Sequence, residues 1–268
     1  MNKKIGFIGS GNMAKAMIGG IVKSGLVKSD MITVSDLNQL ALDAVNSEFK
    51  VNTTTDSREV VKNSDIVIVA VKPNIYDIVL ESVKEFIDTD KIIVTIAAGK
   101  TIKSIENVIG SDKKIVRTMP NTPALVNEGM SALCKNNNIN DEELKLVKSI
   151  FDSFGKSEIV GEYLIDAVIG ASGSSPAYTF MFIEAMADAA VLAGMPRNQA
   201  YTFAAQAVMG SAKMVLETGK HPGELKDMVC SPGGTTIEAV KTLEAEGFRS
   251  AVIKAIGDCI EKSKEMSK

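Results

Sequence analysis

The chain has 268 residues, 45% hydrophobic and 24% charged, with a net charge of −3. That is the profile of a soluble globular protein with one large or two modest domains. The dispersed, slightly acidic charge gives no reason to expect a surface built for nucleic acid or an anionic membrane.

No apolar run reaches the roughly 18 residues of a membrane span, and the N-terminus lacks the apolar stretch and cleavage site of a signal peptide. Cys134, Cys230 and Cys259 are scattered and odd in number, and His221 is the single histidine. Neither a disulfide framework nor a metal site is expected, and the setting fits a reducing cytoplasm. His221 precedes Pro222 and reads as a turn residue.

Short β-branched apolar runs occupy 4–8, 31–35, 66–71, 92–97 and 115–118. They are nearly continuous in apolar character, as parallel strands buried on both faces are. Helical patterns fill 13–23, 39–48, 58–63, 76–86 and 102–108 between them. This alternation predicts a doubly wound α/β domain. A helix over 141–154 and a strand over 156–160 close it.

After Gly161 the composition changes to Ala, Met, Leu and Glu, with helices expected at 176–193, 197–218, 236–246 and 248–264. The expected domains are therefore 1–161, α/β and Rossmann-like, and 162–268, all helical. The first two long helices carry Met181, Phe182, Ile183, Met186, Phe203, Val208 and Met214. So much apolar side chain on two helices predicts a dimer interface, with packing inside the chain as the alternative.

Ile8-Gly9-Ser10-Gly11-Asn12-Met13-Ala14 follows the first strand, opens a helix and matches G-x-G-x-x-A. The pattern marks a dinucleotide site: one glycine for the tight turn, one for close approach of the pyrophosphate, and a small residue for helix–strand packing. Ser35-Asp36-Leu37-Asn38-Gln39 ends the second strand with an acid and no base. An acid there hydrogen-bonds the adenosine ribose and repels a 2′-phosphate, which predicts NADH in preference to NADPH. Arg58 is the nearby basic residue that would weaken this expectation. Ala70-Val71-Lys72-Pro73 and Ala97-Ala98-Gly99 follow later strands, where such sheets bind ligands. Lys72 reads as a general acid, a phosphate contact or a plain surface lysine.

Ser231-Pro232-Gly233-Gly234-Thr235-Thr236 makes a tight turn into a helix. A helix start attracts an anion, because its first N–H groups lack partners and the dipole is positive there. Thr235 and Glu238 also have the spacing of a capping box, so a capped helix is the plainer reading.

The chain resembles Δ1-pyrroline-5-carboxylate reductase from end to end. The likeness is carried by residues 7–14, 70–73, 97–99, Arg117-Thr118-Met119-Pro120-Asn121-Thr122-Pro123, 164–167, Gly173-Ser174-Ser175-Pro176-Ala177-Tyr178, 221–227 and 231–236. It implies a Rossmann-like domain followed by a helical dimerisation domain, with dimers often assembled into rings such as decamers. It implies reduction of the cyclic imino acid (S)-1-pyrroline-5-carboxylate to L-proline by a reduced nicotinamide. The family pattern places the substrate carboxylate on the N–H groups of Gly234, Thr235 and Thr236, and the Thr236 hydroxyl near the imine nitrogen. It places Glu162 near the substrate ring and Ser57 near the adenosine ribose. Many relatives carry asparagine or arginine near positions 36–37, where this chain has Asp36 and Leu37.

A hydroxyacid dehydrogenase is a rival reading. It would put a lysine on the first long helix of the second domain, and 174–186 contains none. A dinucleotide sensor without catalysis would not need the Gly-Gly-Thr-Thr block.

Overall fold

The computed structural model describes residues 1–266. They fall into two compact units. One is Met1–Ser174 together with the chain from Cys259 onward, and the other is Ser175–Asp258.

The first unit is built on an eight-stranded sheet ordered β3-β2-β1-β4-β5-β6-β7-β8. Its strands are β1 (Ile5–Ile8), β2 (Ile32–Ser35), β3 (Asn52–Thr54), β4 (Ile66–Val69), β5 (Ile92–Thr95), β6 (Lys114–Met119), β7 (Gly129–Lys135) and β8 (Gly155–Ile159). All neighbours pair in parallel except β6 with β7. Its helices are α1 (Asn12–Lys23), α2 (Gln39–Phe49), α3 (Ser57–Asn63), α4 (Pro73–Val83), α5 (Ile102–Ile109), α6 (Asp141–Phe151) and α7 (Ile165–Val168).

Alternate residues of each strand enter opposite cores, because successive side chains point to opposite faces. Phe7, Val34, Ile68 and Val94 join one cluster with α1, α2 and α6. Ile8, Val69 and Ile93 join the other with α3, α4 and α5. A sheet buried on both faces explains the continuous apolar runs.

β3 and β7 were not anticipated. β3 is three polar residues at the sheet's edge. β7, Gly-Met-Ser-Ala-Leu-Cys-Lys, carries glycine and serine in a mostly buried strand, so its sequence shows neither a β-branched run nor clean alternation.

The composition changes at 161/162, whereas the packing of the first unit continues to Ser174. Ile165 and Ile169 are buried in its second cluster. Asn121 Nδ2 donates to the Ser172 carbonyl at 3.2 Å. The last turns of the C-terminal helix return to the same unit: Ser263 Oγ donates to Asp166 at 2.6 Å and Cys259 Sγ to Ser174 Oγ at 3.3 Å.

The second unit holds α8 (Ser175–Leu192), α9 (Arg197–Thr218), α10 (Pro222–Val229), α11 (Thr235–Ala245) and the start of α12 (Phe248–Met266). A short π-helical stretch, Ile169–Gly173, precedes α8. His221 is the N-cap of the unanticipated α10, its Nδ1 accepting from the Gly223 N–H at 3.1 Å.

α1 is held in place by a phenylalanine pair. Phe151 and Phe154 are fully buried and tilted, with ring centroids 5.3 Å apart. Phe154 lies so close to Gly20 of α1 that a Cβ there would stand 2.4 Å from its own. Phe154→Ala is expected to cost about 4 kcal/mol, the scale of a buried phenylalanine truncation. The urea midpoint measures it, and a loss below about 1 kcal/mol would show that the site closes over the cavity.

Candidate active site

The strand order reverses between β1 and β4, and sheets of this kind bind ligands at the carboxyl ends of the strands flanking such a reversal. A cleft of about 290 Å³ opens there. Ile8, Gly9, Ser10 and Gly11 line it from the first turn, Ser35, Asp36 and Leu37 from the end of β2, Ser57 from α3, and Ala70, Val71 and Lys72 from the end of β4.

Gly9 makes the turn possible. Its φ is +102°, and a Cβ would stand 2.7 Å from the Ala70 carbonyl oxygen. Its N–H donates to the Ser35 carbonyl at 2.7 Å, which ties the loop to β2. Gly11 is different: a Cβ there would meet no protein atom within 4 Å. No contact within the protein requires that glycine, and the open space beside it fits the close approach of a pyrophosphate to the turn. Ala14 is buried against the sheet as the fingerprint requires.

Asp36 is the most constrained group of the site. Its Oδ2 accepts from the Ser10 N–H at 2.9 Å and the Ser10 hydroxyl at 2.7 Å, and its Oδ1 accepts from the Asn38 N–H at 3.0 Å. Burial pushes its pKa up, but the bonds from Asn38 and Ser10 outweigh that and hold the carboxyl below its ordinary range. Arg58 turns away: its Nε and Nη2 fork onto Asp56, each at 2.8 Å. Ser35 Oγ donates to Ser57 Oγ at 3.1 Å on the cleft wall. Lys72 is exposed at the N-cap of α4.

Other predicted residues lie beside this cleft without lining it. Asn12 and Met13 open α1, and Met13 packs on the first core. Pro73 is the first residue of α4. Ala97, Ala98 and Gly99 follow β5, the neighbour of β4.

Glu162 accepts at Oε1 from the Arg117 Nη1 and from the Ile102 N–H, both at 2.8 Å. It therefore anchors the first turn of α5, the helix that the Ala97–Gly99 loop enters. The Arg117 side chain is only 5% exposed, against 35% for Glu162, so the pair neutralises a buried guanidinium. The sequence reading missed Arg117 as a charge partner. Nearby Cys134 is pushed up to about 12, by burial first and then by the Glu162 carboxylate, so its thiol stays protonated.

In the second unit, the Gly234 N–H donates to the Ser231 carbonyl at 3.0 Å and closes a turn in which Gly233 has φ +67°. Gly234 is the N-cap of α11, without a side-chain cap, and Thr235 is the first helical residue. The capping box at Thr235 is therefore corrected: the turn starts the helix one residue early, and Glu238 faces Lys241 instead, at 3.4 Å. Thr235 is exposed and Thr236 half-buried. Among the described residues, no group of three or more His, Cys, Asp or Glu side chains could hold a metal ion. No helix there is long and apolar enough to cross a membrane.

Fold and cleft together define a dinucleotide-binding oxidoreductase of the Rossmann-like class. Residues 4–99 match the family model for NADP oxidoreductase, coenzyme F420-dependent, and residues 162–266 the model for pyrroline-5-carboxylate reductase dimerisation. The chain is 55% identical to pyrroline-5-carboxylate reductase of Escherichia coli, with 100% of each chain covered. It is 45% identical to that of Methanosarcina acetivorans, covering 100% of this chain and 99% of the relative. The crystal structure of Plasmodium falciparum pyrroline carboxylate reductase with NADP bound superposes with a TM-score of 0.90 at 34% identity, covering 100% and 99%. The chain belongs to the pyrroline-5-carboxylate reductase family.

The lowered Asp36 pKa sets a pH signature. A depressed carboxyl contributes stability above its unfolded value, about 3.9, and loses it as pH falls through the lowered folded value. The stability gap between the wild type and Asp36→Asn, measured by urea unfolding, is expected to be full at neutral pH and to close below about pH 4. A gap independent of pH would mean that the carboxylate is not held in its charged form.

Proposed function

We propose that the protein reduces (S)-1-pyrroline-5-carboxylate to L-proline with NADH or NADPH, as the last step of proline synthesis in the cytoplasm. The full-length likeness to the E. coli reductase carries this reading. The cytoplasmic location is supported by three cysteines that are all free.

The nicotinamide supplies the hydride, and the protein must place a protonated cyclic imine to receive it. Gly234, Thr235 and Thr236 do the placing, their N–H groups at the start of α11 holding the substrate carboxylate. The Thr236 hydroxyl hydrogen-bonds the imine nitrogen. A hydroxyl is a weak acid at neutral pH, so Thr236 assists proton delivery from water rather than supplying the proton alone. Glu162 borders the substrate ring, with Oε1 committed to Arg117 and the start of α5.

The cofactor contacts assigned are Ile8 to Met13, Ser35, Asp36, Ser57, Ala70 to Pro73 and Ala97 to Gly99. A preference for NADH is supported by the charged Asp36, by Leu37 beside it, and by the commitment of Arg58 to Asp56.

Residues 1–161 serve the dinucleotide, and 162–268 serve dimerisation and substrate. The helical unit has Ala187, Ala200 and Ala204 as its buried hydrophobic cluster, while Phe180 is 64% and Phe203 66% exposed. So small a core beside such exposed rings supports burial against a second copy. Dimers assemble further into a ring such as a decamer.

Thr236→Ala is expected to lower kcat/KM by about 10²-fold, the range of acid–base assistance, with cofactor affinity unchanged. Unaltered kinetics would remove Thr236 from the mechanism. Initial rates at equal, subsaturating NADH and NADPH are expected to favour NADH. Rates favouring NADPH would retire the selectivity role of Asp36 and keep the reductase, and no turnover with either would remove the reaction itself.

A further inference from the structure

Ser10 lies between the two glycines of the phosphate-side turn, where a fingerprint needs no particular residue. Here it is 2% exposed, and its backbone N–H and its hydroxyl converge on one oxygen of Asp36, at 2.9 and 2.7 Å. The other carboxylate oxygen takes the Asn38 N–H at 3.0 Å.

An ionised carboxylate offers about four acceptor positions. Ser10 fills two of them and Asn38 a third, and the Leu37 N–H also acts on the carboxylate. Asp36 therefore meets the cleft with its orientation set by the chain's own donors. Hydrogen bonds of this charge-assisted kind are the stronger class, and two from one residue define an angle as well as a distance.

We propose that Ser10 and Asp36 act as one recognition unit, in which the Ser10 hydroxyl sets the Asp36 carboxylate against the adenosine ribose and Asp36 in turn holds the phosphate-side turn. The part of the inference that concerns coenzyme choice rests on the NADH preference proposed above.

Two parts of a dinucleotide, its pyrophosphate and its adenosine ribose, are thereby read by groups that are joined to each other. The Gly9 N–H bond to the Ser35 carbonyl at 2.7 Å ties the same turn to the same strand end. Replacing Asp36 by a small neutral residue removes the charge that repels a 2′-phosphate, and it also frees two donors of Ser10 that hold the turn. An exchange at position 36 alone thus relaxes selectivity while weakening both coenzymes.

The test is a double-mutant cycle on the full-length protein, read as equilibrium dissociation constants for NADH and NADPH by fluorescence titration without substrate. Thermal unfolding of each ligand-free variant runs alongside. Ser10→Ala is expected to weaken NADH about tenfold, the scale of coupling between contacting residues, and NADPH by no more than about twofold. Added to Asp36→Ser, it is expected to change neither constant by more than about twofold, because its partner is already gone. Ser10→Cys keeps the volume with a weaker donor and is expected to fall between wild type and Ser10→Ala; it stands in if Ser10→Ala unfolds early.

Equal weakening of both coenzymes by Ser10→Ala, or a full additional loss on top of Asp36→Ser, would overturn the unit and leave Ser10 as a buried hydroxyl satisfied by its neighbour. Tighter binding of NADPH by the wild type, with the two substitutions still non-additive, would retire the NADH preference and support the unit.

Discussion

The first turn after β1 depends on a backbone that can pass within contact distance of β4. At Gly9 the chain leaves β1 with positive φ, donates to the end of β2, and lies so close to the Ala70 carbonyl that a Cβ there would overlap it. Three strand ends meet at one residue without a side chain. The cleft exists because helices leave β1 and β4 toward opposite faces of the sheet, and the turn at Gly9 lets the start of α1 reach its edge. Groups that recognise the ligand then come from residues next to these strand ends, which the parallel pairing of β1 with both β2 and β4 holds in register.

Charge in the cleft is arranged rather than abundant. Asp36 is held in its charged form by donors of the protein itself, Arg58 is spent on Asp56, and Lys72 is the basic side chain that lines the cleft. Backbone N–H groups at a helix start can take the part that basic side chains play in phosphate-rich sites. The same economy holds at α11, where a turn ending in Gly234 presents the first N–H groups of a helix with no side-chain cap over them. A cap at Thr235 would have occupied a donor that an anion can use.

The Arg117–Glu162 pair joins parts of the chain that composition assigns to different domains. A guanidinium buried within β6 carries a large desolvation cost unless an acid meets it. That acid arrives from just beyond the compositional boundary, and the same oxygen anchors the first N–H of α5. The packing of 162–174 on the first unit follows from this pair and from Ile165 and Ile169.

Much of this was legible in sequence, for local reasons. Gly9 and Ala14 are demanded by steric contacts within one strand–turn–helix, and with Gly11 between them the spacing alone announces the site. Five strands of the parallel sheet and the long helices were readable because burial on both faces leaves unbroken apolar runs, and a change to Ala- and Met-rich sequence marks the helical part. Tertiary structure decided the rest, through partners far apart in the chain. β7 is a strand because β6 and β8 flank it, not because Gly-Met-Ser-Ala-Leu-Cys-Lys favours one. Asp36 and Ser10 were each marked by their place after a strand, but their bond to each other was not legible, nor was the meeting of Arg117 with Glu162. The N-cap at Gly234 was settled by the φ of Gly233, one residue before the position that spacing favoured. Sequence determines what each segment can form by itself; which charges meet, and which donors stay free for a ligand, is decided only when the sheet brings distant strand ends together.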